Sequence, residues 1–508
     1  MAEKENKAMH IEKKHSVLMV LMLGVSCFAT DYQVSTQAEF DAVKKRILQP
    51  GDAILLERGK QFTGMLSPTG TGTEAAPIRV GAYGTGARPQ IHAGGTNEAA
   101  LRLCNPSYWE VQGLELTNTD GSDGDQGTLF GIYVLADGEE KTYRHVYIND
   151  CYVHHVNGKV AGKQRGGIHV HIKKLKASLF DDLRITSNRV ERIGGVGIGN
   201  ASSCGGVRLQ EDGEACSYLW TRVYVAGNYV NNTGRNNIIA RCSKDAIYEH
   251  NILANSSQYD TGHSIFCFNT DGIKIQYNEA YGNVGDKKNN DGGGESDRGG
   301  FDADYNCVNT YIQYNYSHDN LWFCGIMKRP TLNVVIRYNI SQNDREGIYF
   351  YGFEKNKSAE NVHIYNNTHF VKKGLHVSVF AEGRTPINTT FENNIFFFEE
   401  KGEWGNNAAG INTVFRNNLY YNITHHSSDT QPVLADPGFI KPGVAGSDIN
   451  LTTMDALRGY QLQPGSPCIN TALPIANNGG RDIVKTAVNP SGSDIGAFEY
   501  QATGDSRP

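Results

Sequence analysis

No two cysteines in this sequence stand at metal-ligand or redox spacing. The ten lie at positions 27, 104, 151, 204, 216, 242, 267, 307, 324 and 468, without a C-x-x-C pair. A zinc cage or a thioredoxin-type centre is therefore unsupported. Several sit in strand-like runs such as I-F-C-F, Ile265 to Phe268, where a thiol acts as a small apolar filler. One disulfide, Cys204 with Cys216, is conceivable in an exported chain. Charge of one sign is scarce too: 48 Lys and Arg against 54 Asp and Glu leave −6 over 508 residues. With no basic footprint, nucleic acid is not expected as a partner. Beyond the N-terminus no apolar run is long enough to cross a bilayer.

What is present is turn chemistry. Fifty-seven glycines, 26 tyrosines and frequent asparagine, with 20% charged residues, describe a β-rich chain, because Gly and Asn supply the positive-φ positions of tight turns. Length alone would suggest several domains; this composition argues for fewer. At the start, Lys13, Lys14 and His15 precede S-V-L-M-V-L-M-L-G-V and then C-F-A-T. This reads as a signal peptide over residues 1–29, cleaved after Ala29, so the chain is expected to be exported to the periplasm, the cell surface or the medium. A lipid anchor on Cys27 is the other outcome, although Gly24-Val25-Ser26 is a poor match to the usual lipobox.

A short pattern recurs: apolar, any, apolar, two mixed residues, Asn. It ends at Asn188, Asn228, Asn251, Asn278, Asn315, Asn339, Asn367, Asn394 and Asn418, with Cys151 at the equivalent place in V-Y-I-N-D-C. From Asn228 onward the spacings are 23, 27, 37, 24, 28, 27 and 24 residues. Strand-like repeats of this length describe a solenoid of parallel strands. An Asn at one register can form a ladder inside a coil corner, donating to one backbone and accepting from the next. Asn315 and Asn339 also match N-x-S, but their register is interior rather than that of a glycosylated surface. Ser35 to Gln49 has amphipathic helical spacing behind a Ser N-cap, and would cover the first coil.

The opening, a helix followed by P-G-D-A-I-L-L-E-R-G and A-P-I-R-V-G-A-Y-G, resembles exported right-handed parallel β-helix proteins of the pectin-lyase-like superfamily. The close, Y-Q-L-Q-P-G-S-P-C-I-N-T-A with D-I-G-A-F-E-Y, is similar to the endings of many bacterial members. The resemblance implies an all-β right-handed solenoid with a short capping helix, in one elongated domain. Residues 30–100 would form the cap and first coils, 101–440 the β-helix and 441–508 its closing segment. It also implies carbohydrate-directed chemistry without fixing the reaction.

Aligning coils on a Gly followed by an apolar residue places an outward strip through His169 and His171, Asp302 and Asp304, Tyr349 and Tyr351, and His376 with Ser378. Lys328 and Arg329 fall on the coil after the aspartates, and His263 at the edge of the coil before. Asp302 and Asp304 alternate with Phe301, Ala303 and Tyr305, so both acids share a face. Two mechanisms fit. In a glycoside hydrolase, one carboxylic acid protonates the leaving oxygen while the second acts as base or nucleophile. Asp302 and Asp304 are the candidates, Lys328 and Arg329 lie beside them, and Glu295, Asp297 and Glu346 are substitutes. Sugar contacts would come from His263, Glu295, Arg298, Glu346, Tyr349, Tyr351 and His376. This mechanism requires no cofactor. In a polysaccharide lyase, Asp291, Asp302 and Asp304 would hold Ca²⁺ and Lys328 or Arg329 would be the base. D-G-S-D-G-D-Q-G, Asp120 to Gly127, is a further acidic turn that could take calcium. A third class, a non-catalytic glycan-binding surface protein, uses the same strip for stacking alone. The partner in every case is a polysaccharide or oligosaccharide.

Overall fold

The computed structural model describes residues 29–122, 127–157, 163–173, 177–203, 218–285, 297–327, 331–352, 359–381, 384–449 and 455–502. Within one coil the chain runs through Trp109–Gln112, Glu115–Asn118 and Phe130–Ala136. The next strand, Thr142–Asn149, returns to lie parallel beside the first, with Val146 opposite Trp109. Repetition of this path stacks parallel sheets of 15, 13 and 10 strands, and closes a right-handed β-helix. Each coil places an apolar residue over its equivalent in the last. Val111, Ile148 and Ile185 stand in register, as do Ile275, Ile312 and Ile336. β-Branched side chains suit such stacks because they pack on a pleated surface with little rotamer loss.

The asparagine ladder forms as its spacing predicts. Each amide accepts from the backbone N–H and the side-chain N–H of the preceding Asn, and donates to a strand carbonyl inside the coil. Asn278, for example, accepts both donors of Asn251 at 3.0 and 2.9 Å and donates to the Tyr248 carbonyl at 2.9 Å. Cys151 N–H donates to Asn188, and the last rung, Asn418, donates to Asp429. Asn315 and Asn339 are fully buried. The residue before each rung takes a left-handed conformation, as at His250, Tyr277 and Tyr314, which turns the corner. A shorter ladder, Asn283 to Asn320 to Asp344, lines another bend and has no counterpart in the sequence reading.

The N-terminal helix is shorter than expected, Gln37–Val43, and its N-cap is Thr36 rather than Ser35. Thr36 and Glu39 form a capping box, and Ile47–Leu48 leaves the helix to pair as a strand with Thr69–Gly70. Phe40 stacks on Phe62 at 5.2 Å and so covers the first coil. At the other end the chain folds back along the outside of the later coils. There Phe439, Tyr460, Ile483 and Phe498 join Tyr314, Tyr338 and Phe370 in a second apolar cluster. Seven described cysteines are free thiols, and six of these are buried. Cys27, Cys204 and Cys216 lie outside the described residues. No helix among the described residues is long and apolar enough to cross a membrane.

Candidate functional site

The outer face of the ten-stranded sheet carries the acids. Along each of its strands the outward positions are interrupted by two consecutive inward residues. Phe323 and Cys324 both enter the core, as do Ile348 and Tyr349. Trp322 therefore faces out before the step and Gly325 after it. In register, Asp302 lies beside Phe266 on one coil and Gly325 on the other, and Gly325 beside Phe350. Earlier in the same column stand His169 and Tyr133.

Asp302 projects from the strand Gly299–Ala303 away from the barrel, yet it is only 1% exposed. Burial, then the charges of Asp304 and Asp297, push its carboxyl well above the usual carboxylate range, so it keeps its proton at neutral pH. A Cβ on Gly325 would stand 2.6 Å from Asp302 Oδ1, so glycine there makes room for the carboxyl group. Oδ2 faces His263 Nε2 at 3.3 Å. That imidazole is 2% exposed, and burial lowers it to about 4, leaving it neutral. Its Nε2 also lies 3.7 Å from Asp297 Oδ1.

Asp297 differs from Asp302 in both exposure and charge. Its side chain is 39% exposed and its Oδ2 lies 3.6 Å from Lys163 Nζ. Burial acts to raise it, but nearby His263, Lys163 and Arg235 outweigh that and hold it below the ordinary range. With His263 neutral, the two cations supply this help at neutral pH. Lys163 also covers the Phe266 ring at 4.7 Å, and Arg241 approaches the same ring at 5.8 Å. Two carboxyl groups, one holding its proton and one ionised, thus face the same imidazole, with Asp304 half-buried just past the strand end. The Lys163–Asp297 contact brings together two parts of the chain far apart in sequence. Lys163, Arg235 and Arg241 were missed by motif reading. Their distance from Asp302 in sequence hides them, and only a correct coil alignment could have found them.

The structure corrects several expected positions. Tyr349 and Tyr351 point into the core, 0% and 3% exposed, where their hydroxyls meet His369 Nε2 at 2.9 Å and Thr389 Oγ1 at 3.0 Å. The double inward step is the cause: Gly347 is the equivalent of Gly299, not Gly300, so Phe350 takes the column of Asp302. His376 is exposed ahead of the strand Ser378–Phe380, three coils or roughly 14 Å from Asp302. Ser378 falls in the column of Gly347 and Trp322. Glu346 is exposed two coils away, and Arg298 is buried next to Asp297. His169 and His171 lie on the expected face, but four coils or roughly 19 Å from the acids. Asp291, Glu295, Lys328 and Arg329 lie outside the described residues, as do residues 123–126 of the turn from Asp120 to Gly127.

No protein-family model matches the chain. In an alignment of 390 residues that covers 59% of this chain, it is 27% identical to "Lacto-N-biosidase" of Bifidobacterium longum subsp. longum, and it spans 24% of that protein. Among solved structures it is similar to the GH136 lacto-N-biosidase from Eubacterium ramulus. The native crystal structure aligns with a TM-score of 0.54 at 21% identity, covering 69% of this chain and 65% of that one. The selenomethionine derivative gives 0.57 at 20%, covering 76% and 68%. The complex of XylC with xylose aligns at 0.50 and 9% identity, over 92% of this chain and 98% of that one. These structural likenesses concern the fold, a parallel β-helix in each case.

Proposed function

We propose that the chain is an exported glycoside hydrolase whose proton-bearing half is the Asp302–Asp304 pair and whose ionised half is Asp297. The observation that carries this reading is the split in proton affinity among carboxyl groups on one outward strip, the condition that acid–base cleavage of a glycoside needs. Like charges two residues apart titrate as a unit. The proton rests on buried Asp302 and is delivered at Asp304, the member that reaches the surface. As the glycosidic C–O bond breaks, the leaving oxygen takes that proton. Asp297 either accepts a proton from the attacking water or attacks the anomeric carbon itself.

Similarity to a lacto-N-biosidase makes a lacto-N-biose-terminated oligosaccharide the first substrate to try. Incubation with host, plant and algal glycans, read for reducing ends and for absorbance of an unsaturated uronate, tests the reading. Reducing ends without that absorbance support hydrolysis. Both signals together would replace it with β-elimination, and retained binding without either would replace it with a glycan-binding role.

The calcium set of the lyase scheme fits the described residues poorly. Asp302 offers one oxygen facing an N–H and a carboxyl that keeps its proton, and no three candidate ligands gather among the described residues. Activity should therefore survive EDTA. Export rests on the apolar segment Ser16 to Val25, and N-terminal sequencing of mature protein starting at Thr30 would support it.

A further inference from the structure

We infer that His263 is a positioning residue of fixed tautomer, whose single Nε2 proton serves Asp297 and Asp302 in turn; this rests on the hydrolase reading above. The residue stands just ahead of the strand Ile265–Phe268, beside the contact between Lys163 and Asp297. Gly299 N–H donates to its Nδ1 at 3.1 Å. Nδ1 is thereby an acceptor, so in the neutral ring the proton sits on Nε2. Protonating Nδ1 as well would set two N–H groups against each other in a buried place. Edge-on contacts with Trp322 at 6.2 Å and Phe266 at 6.3 Å fix the ring plane.

The Nε2–H is aimed between two carboxyl groups, Asp302 Oδ2 at 3.3 Å and Asp297 Oδ1 at 3.7 Å. Neither contact is aligned as a full hydrogen bond, since Nε2 has no geometrically good partner. The donor is therefore shared, and the group carrying negative charge draws it more strongly. Before the reaction that group is Asp297, because Asp302 holds its proton. Once the proton has left through Asp304 to the departing sugar oxygen, Asp302 is a buried carboxylate with Oδ1 otherwise unpartnered. The ring stays in place, and its N–H, at 3.3 Å from Asp302 Oδ2, then stabilises the new charge there. That draw weakens its hold on Asp297, making Asp297 a stronger base or nucleophile for the attacking step. His263 neither gains nor loses a proton, so the balance of the reaction is unchanged.

Two substitutions separate this role from a structural one. His263→Asn keeps an acceptor where Nδ1 stands, and so the Gly299 contact, but removes the donor. His263→Gln keeps an N–H where Nε2 stands. With lacto-N-biose-terminated oligosaccharide, His263→Asn is expected to lower kcat about 10- to 100-fold at little-changed KM, the loss of one charge-assisted hydrogen bond. His263→Gln should keep most of the rate. The reverse order, Asn more active than Gln, would assign His263 to holding Gly299 and overturn the inference. Long-range ¹H–¹⁵N spectra of histidine-labelled protein give a second readout, with the Nε2–H tautomer expected. An Nδ1–H ring or an imidazolium at neutral pH would overturn the inference regardless of activity. A wild-type chain that releases no sugar sinks the hydrolase reading instead, and leaves the tautomer spectrum to decide this one.

Discussion

At the scale of single residues the site is a contest between burial and neighbouring charge. Asp302 loses its solvent and keeps its proton; Asp297 keeps some solvent and two cations and loses it. Asp297→Asn and Asp302→Asn should each lower turnover by at least about 10²-fold, the scale of losing an acid–base group. Near-normal kcat in either variant would remove that residue from the chemistry. Gly325→Ala tests the space beside Asp302: a methyl 2.6 Å from Oδ1 must displace the carboxyl. Turnover should fall about tenfold or more, in line with an acid shifted by a fraction of an ångström, while the unfolding midpoint moves little. That Asp302 turns outward between Phe301 and Ala303 was legible from alternation alone. That Tyr349 and Tyr351 do not was hidden, because two adjacent inward residues break the period of two while leaving the apolar pattern Gly-Ile-Tyr-Phe-Tyr unchanged.

At the scale of the element, the coil corner explains why the fold could be read so early. A bend in every coil must satisfy backbone groups away from water, and one amide side chain per corner does so. The requirement repeats with the coil, so it surfaces in sequence as a periodic Asn. Asn278→Ala would strand both donors of Asn251 and the Tyr248 carbonyl in a dry interior. At about 1–3 kcal/mol for each orphaned group, the loss should reach roughly 3 kcal/mol or more in urea unfolding. Asn309, half-buried in the strand Cys307–Gln313, donates to Asp271 Oδ1 at 2.8 Å and accepts from Asn333 at 2.9 Å, from a left-handed backbone. Asn309→Ala should cost only about 1 kcal/mol, mostly backbone strain. Equal losses at the two positions would mean that the inner ladder is no more than a surface turn repeated. The second ladder escaped notice because Asn283, Asn320 and Asp344 include an acid in the last place and follow no fixed apolar motif.

At the scale of the whole molecule, a solenoid needs its ends and flanks closed, and the C-terminal segment does this with buried acids. Asp482 accepts the amides of Val484, Thr486 and Glu499, at 2.9, 2.7 and 2.9 Å. Asp494 accepts Asn470 N–H at 2.7 Å, and Glu499 accepts Asp494 N–H at 3.2 Å. The motif D-I-G-A-F-E-Y was recognisable as a closing signature; that its acids turn inward was not, since neither spacing nor hydropathy marks a buried carboxyl. Burial, together with the charge of Asp494 on Glu499, raises Asp482 to about 7 and Glu499 to about 8, from 3.8 and 4.5. The folded state therefore binds more protons than the unfolded chain across that interval. Stability from these groups is complete below the unfolded values, near pH 4, and is lost as pH rises through 7 to 8. Glu499→Gln keeps an acceptor for the Asp494 amide without the charge, so its unfolding free energy should fall less steeply than wild type between pH 5 and roughly pH 9. The two chains should be closest in stability at the acid end and diverge in favour of the variant at the alkaline end. Parallel pH profiles would mean that burial does not hold the proton on Glu499 in the folded protein.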